Sequence, residues 1–383
     1  MKINHALAMA LSALSAGFLI SCVKPADENK PPEIDSQKVA QDSAISASSV
    51  KGTGDNAVQI TAVDISADTE RTYLTYVAND IVIPAYADAA KQSDILHNLA
   101  KKHCQKAAVS GDELQALRKQ WLVLAQAWAS AEMVNFGPAT ASMSNLYINY
   151  YPDERAMVHS GVAELIAANP NLTAEQLANE SAIVQGVPGL EEALYANDSL
   201  DAGQCAYVMS ASSALSTRLK DIEKNWQQNS VELLAIDKTG DSDQGLNQWF
   251  NSLLSLVETM KSNAIEQPLG LNGKAKGHVP AATAGQSRAI INAKLATLNT
   301  VLTDPVLTAI LGSHNQNNVA DSLSTELAET TTLLAQMPED LTTADKATQQ
   351  KLFDHLTTVT RLIKRQLIPT LGIRVGFNST DGD

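Results

Sequence analysis

Beyond residue 66 the apolar positions recur with the 3.6-residue period of amphipathic helices, and no stretch shows the alternation of a half-buried strand. One run extends from about Asp68 to Lys106. Pro84 lies inside it and is expected to kink or break it, because proline lacks an N–H and its ring crowds the preceding turn. Ser110 and Glu113 have capping-box spacing and open a run to about Asn135; Thr173 and Gln176 repeat that spacing. Pro152, followed by Asp153 and Glu154, suits the first turn of another helix. Further helices are predicted near 203–229, 243–264, 286–303, 318–336 and 344–368, the last with Leu352, Leu356, Val359, Ile363 and Leu367 along one stripe. Connections rich in Gly, Pro and Asn fall near 136–145, 267–284 and 369–383. The pattern predicts an all-α fold of two packed four-helix bundles, residues 63–210 and 211–383.

The N-terminal residues are patterned differently. Lys2 precedes an apolar stretch from Ala6 to Ile20, too short to span a bilayer and laid out like an export signal. It ends Leu19-Ile20-Ser21-Cys22, which resembles the lipobox of bacterial lipoproteins. That resemblance implies a signal peptide over residues 1–21, cleavage before Cys22 and a diacylglycerol on its thiol. Val23, in place of Asp, then implies an outer-membrane lipoprotein, with its body in the periplasm or at the cell surface. The alternative is an ordinary signal peptide with an incidental cysteine. Residues 22–62 contain no aromatic and are rich in Pro, Asp, Ser, Lys and Gly. Such a segment buries too little apolar area to offset its ordering entropy and is expected to be a disordered tether.

Charge narrows the partners. The 383 residues carry 28 Lys and Arg against 42 Asp and Glu, a formal charge of −14, with no basic cluster for phosphates. Nucleic acid is therefore excluded as a partner, and an acidic surface leaves membrane attachment to the lipid anchor. With Cys22 lipidated, Cys104 and Cys205 remain. In an oxidising compartment they favour a disulfide, the other reading being two separately buried thiols.

Familiar catalytic spacings are missing: there is no His-Glu-x-x-His, Gly-x-Ser-x-Gly, Cys-x-x-Cys or phosphate-binding glycine loop. Among His97, His103, His159, His278, His314 and His355, no two stand three or four apart, so no helix offers a ready histidine pair to a metal. Trp121, Ala125, Trp128 and Glu132 do share one helix face. A carboxylate ending an aromatic stripe must find a cation or donors, or its pKa rises, unless it reaches solvent at a rim.

The run Trp121…Trp128…Glu132…Gly137-Pro138 is followed by Tyr151-Pro152-Asp153-Glu154-Arg155. Gln185-Gly186-Val187-Pro188-Gly189-Leu190-Glu191-Glu192-Ala193-Leu194-Tyr195 comes next, and the chain ends Gly376-Phe377-Asn378-Ser379-Thr380-Asp381-Gly382-Asp383. In this order and spacing the chain resembles the imelysin-like family of exported bacterial proteins, named after an insulin-cleaving membrane protease, over about residues 67–383. The resemblance implies two four-helix bundles side by side, a site between them, and an association with iron or haem acquisition. The family signature is Gly-x-His-x-x-Glu. Gly186 and Glu191 match it, whereas Pro188 stands at the histidine position and has neither a ring nitrogen nor an N–H to offer. A peptidase role thereby loses its only nitrogen ligand in the motif.

The other matched residues form a candidate polar binding site. Glu132 and Glu191 are its anionic groups and candidate metal ligands, Arg155 a cation for either, Asp153 a helix-capping acid, Trp128 and Pro188 its walls, and Asp381 added charge at the chain end. Oxygen-rich groups suit iron or another hard cation such as Ca²⁺. The favoured reading is a lipid-anchored binding or accessory protein with an envelope partner in iron uptake. A protein-docking module without small ligand, whose polar cluster is purely structural, and a metallopeptidase are the alternatives. Haem has weaker support, since no His or Met is poised as an axial ligand.

Overall fold

Helices dominate the structure, a computed structural model that describes residues 62–106, 108–233 and 245–375. The expected leader and tether up to residue 61, with Cys22, and Asp381 lie outside these residues. The long helices are α1 (Ala67–Tyr76), α2 (Ile83–His103), α3 (Gly111–Ala131), α4 (Met157–Ala168), α5 (Gly186–Tyr195), α6 (Ala202–Leu233), α7 (Leu246–Thr259), α8 (Ser287–Leu302), α9 (Pro305–Ser313), α10 (Asn317–Ala335) and α11 (Lys346–Leu362). Among the described residues the strand pairing is confined to Val109–Ser110 against Ser199–Leu200. No single described helix is long and apolar enough to cross a membrane.

Prolines are accommodated by a shared device. Pro84 does not break the first run: a π-helical turn, Val77–Val82, precedes it, and the backbone stays helical through Ile83 (φ −58°, ψ −47°). The same arrangement recurs where Met260–Glu266 precedes Pro268 and Ile363–Leu367 precedes Pro369. The wider turn shifts the hydrogen-bond register by one residue, which relieves the clash and missing donor that proline brings to an α-helix.

Two helix starts differ from expectation. Ser110 is held extended by its pairing with Ser199 and makes no side-chain cap, while Glu113 pairs with Lys106 and His103. Pro152 is not a first helical residue. The chain remains irregular to Ala156, and α4 begins at Met157, whose N–H and that of Val158 are taken by the buried Asp153 carboxylate at 2.9 and 2.8 Å. The Thr173–Gln176 capping box is complete.

Packing places α2 against α3 and α6, and α5 against α3, α4 and α6; further along the chain α8 packs on α10, α10 on α11 and α7 on α11. The division expected between 210 and 211 falls inside α6, which is continuous there and packs on α2. Helix α3 belongs to the first of these groups and also packs on α8. The two groups meet along this packing of α3 on α8 and where Tyr73 of α1 stacks on Phe250 of α7. The few aromatics fill the interior, with Trp121, Trp226, Trp249, Tyr73, Tyr86, Tyr207 and Phe250 fully buried. The stripe Leu352, Leu356, Val359, Ile363 and Leu367 is likewise sealed from water. Cys104, next after α2, and Cys205 on α6 are disulfide-bonded with Cα atoms 5.4 Å apart.

Candidate functional site

Helix α3 delivers Trp121, Ala125 and Trp128 on one buried face, and Glu132 caps its C-terminus, its N–H donating to Trp128 O at 2.9 Å. The partner of Glu132 is a lysine that the motifs do not contain. Lys294 of α8 is only 4 % exposed, and its Nζ stands 2.6 Å from Glu132 Oε2. The contact is electrostatic rather than a well-aligned hydrogen bond, so Oε2 keeps no hydrogen-bond partner; Asn149 Nδ2 donates to Oε1 at 3.2 Å. Arg155, expected in this role, is exposed and makes no ion pair with a described residue. Capping by Asp153 and the positive φ of Ala156 (52°) redirect the chain there.

Glu191 comes from the second turn of α5 and is 8 % exposed. Its Oε1 accepts from the N–H of Ala284 at 2.9 Å, in the loop that precedes α8. Burial raises its pKa from 4.5 to about 7, against the lowering effect of the Ala284 N–H and with a further raising contribution from the Glu192 carboxylate. Glu192 accepts from the Thr283 hydroxyl and lies 2.9 Å from His159 Nδ1. Two adjacent acids thus clamp residues 283–284 onto α5.

These elements line a partly open cavity of about 40 Å³ bounded by Trp128, Glu132, Tyr151, Pro188, Glu191 and Lys294. His278 also reaches it. Trp121 donates its indole N–H to Val187 O at 2.9 Å, but Trp128 Nε1 is buried without a partner, as is the hydroxyl of Tyr86 behind it, whose ring lies 6.5 Å away. The Tyr151 hydroxyl is 2.9 Å from both Asn263 O and His278 O, and burial pushes its pKa well up. Two more open recesses border the cavity. One of about 180 Å³ shares Trp128, Glu132 and Lys294 with it, and one of about 450 Å³ shares Pro188, Glu191 and His278.

The residues do not fit a cation held by Glu132 and Glu191. Lys294 already supplies the positive charge to Glu132, Glu191 is spent on Ala284, and among the described residues neither carboxylate joins a third His, Cys, Asp or Glu at metal-ligating distance. The structure thus gathers Trp128, Glu132, Pro188 and Glu191, assigns Asp153 to capping and sends Arg155 to the surface.

Sequence reasoning missed Lys294 and His278. Lys294 had a signal: it lies four residues from Ile290 and from Leu298 on a helix stripe that is otherwise core. A lone lysine on such a stripe needs a buried acid. His278 had none, because it sits on a loop placed by long-range contacts.

A sequence model of the imelysin family matches residues 82–366. The crystal structure of an imelysin-like protein from Psychrobacter arcticum 273-4 is 87% identical and covers 83% of this chain and 100% of that one, with a TM-score of 0.81. A protein from Parabacteroides distasonis ATCC 8503, described as a candidate iron-regulated protein A precursor, shares 12% identity over 79% of this chain and 97% of that one. Its TM-score of 0.59 is a likeness of fold alone. No protein among those of curated function matches.

Proposed function

The chain belongs to the imelysin family, and on that premise we propose that it is a lipid-anchored binding protein that serves iron acquisition at the cell envelope. The observation that carries the binding role is the cavity at the meeting of α3, α5 and α8, lined by the Glu132–Lys294 ion pair and by Trp128, whose buried indole N–H has no partner. A buried donor left unpaired costs about 1–3 kcal/mol, so a guest that accepts from it is favoured. The volume of about 40 Å³ suits two or three water-sized groups, since one needs roughly 10–15 Å³. A haem macrocycle is far too large for it. The guest implied is a small molecule or ion with an oxygen acceptor, held by Trp128 Nε1 and the Lys294 ammonium.

The link to iron rests on the fold shared with the protein from Parabacteroides, whose name carries it. The anchor rests on Cys22 and the segment that precedes it. Binding is favoured over peptide cleavage because Pro188 stands in the cavity wall without a ligand atom.

Deletion and complementation in the source bacterium test this reading. With iron withheld, the deletion strain is expected to grow more slowly and hold less iron. The wild-type gene should restore both, while Lys294→Met or Cys22→Ser, at equal protein level, should not. Unchanged growth and iron content after deletion would contradict the iron role.

A further inference from the structure

A second constellation lies away from the cavity, where α10 and α11 pack side by side. Glu326 and Glu329 are three residues apart on α10 and therefore share a face. His355 rises from α11 opposite them, its Nδ1 2.6 Å from Glu326 Oε1. Glu326 and His355 are half-buried and Glu329 is exposed. One ligand atom from each of the three lies within 4.8 Å of the other two, and no other set of three His, Cys, Asp or Glu among the described residues converges in this way.

Some half-buried acids have a lysine partner, as Glu132 has Lys294 and Glu258 has Lys364. Glu326 has only the imidazole, and no Lys or Arg among the described residues pairs with Glu326 or Glu329. A simple Glu326–His355 pair explains one contact but leaves the second carboxylate turned toward the first.

We propose that Glu326, Glu329 and His355 form a binding site for a divalent first-row transition-metal ion. Two carboxylates and one imidazole are intermediate in softness, which favours Zn²⁺, Mn²⁺ or Fe²⁺ over Ca²⁺, an all-oxygen ion, and over soft copper(I). Three donors about 2.0–2.2 Å from one ion stand roughly 3–3.8 Å from one another. Atoms now within 4.8 Å must therefore close by about 1 Å, which the exposed Glu329 side chain can supply. The two donors on α10 and the one on α11 are held by packed helices, so the site is largely formed before the ion arrives. Three protein ligands leave coordination positions for water, and the exposed side gives the ion access.

The site is independent of the cavity, and the test keeps the two apart. The full chain, stripped with chelator and free of any affinity tag, is titrated with Zn²⁺ near neutral pH by isothermal calorimetry. The expected result is one Zn²⁺ per chain, with affinity lowered roughly tenfold to a hundredfold by His355→Gln and by Glu329→Gln. Glu132→Gln should leave it unchanged. Glu329 is exposed, so its variant should fold normally, with an unaltered metal-free thermal melt, and it decides the matter if the histidine variant does not fold. Absence of saturable binding to the wild type, or wild-type affinity in Glu329→Gln, would overturn the proposal.

Discussion

Gly186→Ala is expected to cost about 3 kcal/mol or more of folding stability, a large loss for a single methyl group. Gly186 opens α5 with φ of 71°, and a Cβ built there would lie 2.1 Å from the carbonyl oxygen of Ile148 and 2.6 Å from that of Tyr147. Both neighbours are backbone and cannot rotate away. The left-handed conformation alone costs a non-glycine residue about 1–3 kcal/mol, and forcing an extra carbon into packed surroundings costs a further 1–3. Gly285→Ala is the control: its φ is 65°, but nothing lies within 4 Å of the added carbon, so it should show the conformational cost alone. Urea unfolding of the two variants measures the difference. If Gly186→Ala loses no more than Gly285→Ala, the close approach is not what the position requires. This motif glycine lets the start of α5 run against the Ile148 carbonyl, and so carries Pro188 and Glu191 to the cavity.

Glu191→Gln is expected to stabilise the protein at alkaline pH by up to roughly 3–4 kcal/mol. The folded chain holds the Glu191 proton up to about pH 7, whereas the unfolded chain releases it near 4.5. Between those values the folded state binds more protons, so the contribution of this group falls as pH rises. It is fully present below about 4.5 and lost above about 7. A gap of about 2.5 pH units at about 1.4 kcal/mol each gives the upper bound. Glutamine keeps the acceptor for the Ala284 N–H and cannot ionise. The two proteins should therefore match near pH 4.5 and diverge toward pH 8 in denaturant unfolding. Parallel curves across that range would show that Glu191 titrates as an ordinary surface acid.

Both predictions fall on signature residues, and the reason bears on what a sequence discloses. Periodicity placed the helices well, because burial of one face is a local pattern; the stripe from Leu352 to Leu367 is a case in point. It gave no warning of the π turns, whose register shift before Pro84, Pro268 and Pro369 leaves no compositional trace. At the site, Glu132 drew notice because it ends an aromatic face, and the structure supplies the cation that such a position demands. The identity of that cation was not local. Arg155 was the nearest basic residue in the motifs, yet Lys294 approaches across the packing of α3 on α8. The Glu326–Glu329–His355 cluster escaped for the same reason: a search for histidines within one helix cannot see a histidine on the next.

The central claim is that the cavity beside Trp128 and Lys294 holds a small oxygen-bearing guest. Its most direct measurement is an atomic-resolution crystal structure of the protein purified from its native source, alongside Lys294→Met. The expected result is non-protein density within hydrogen-bond distance of Trp128 Nε1 and Lys294 Nζ in the wild type, lost in the variant. A cavity that is dry and vacant in the wild type would contradict the claim.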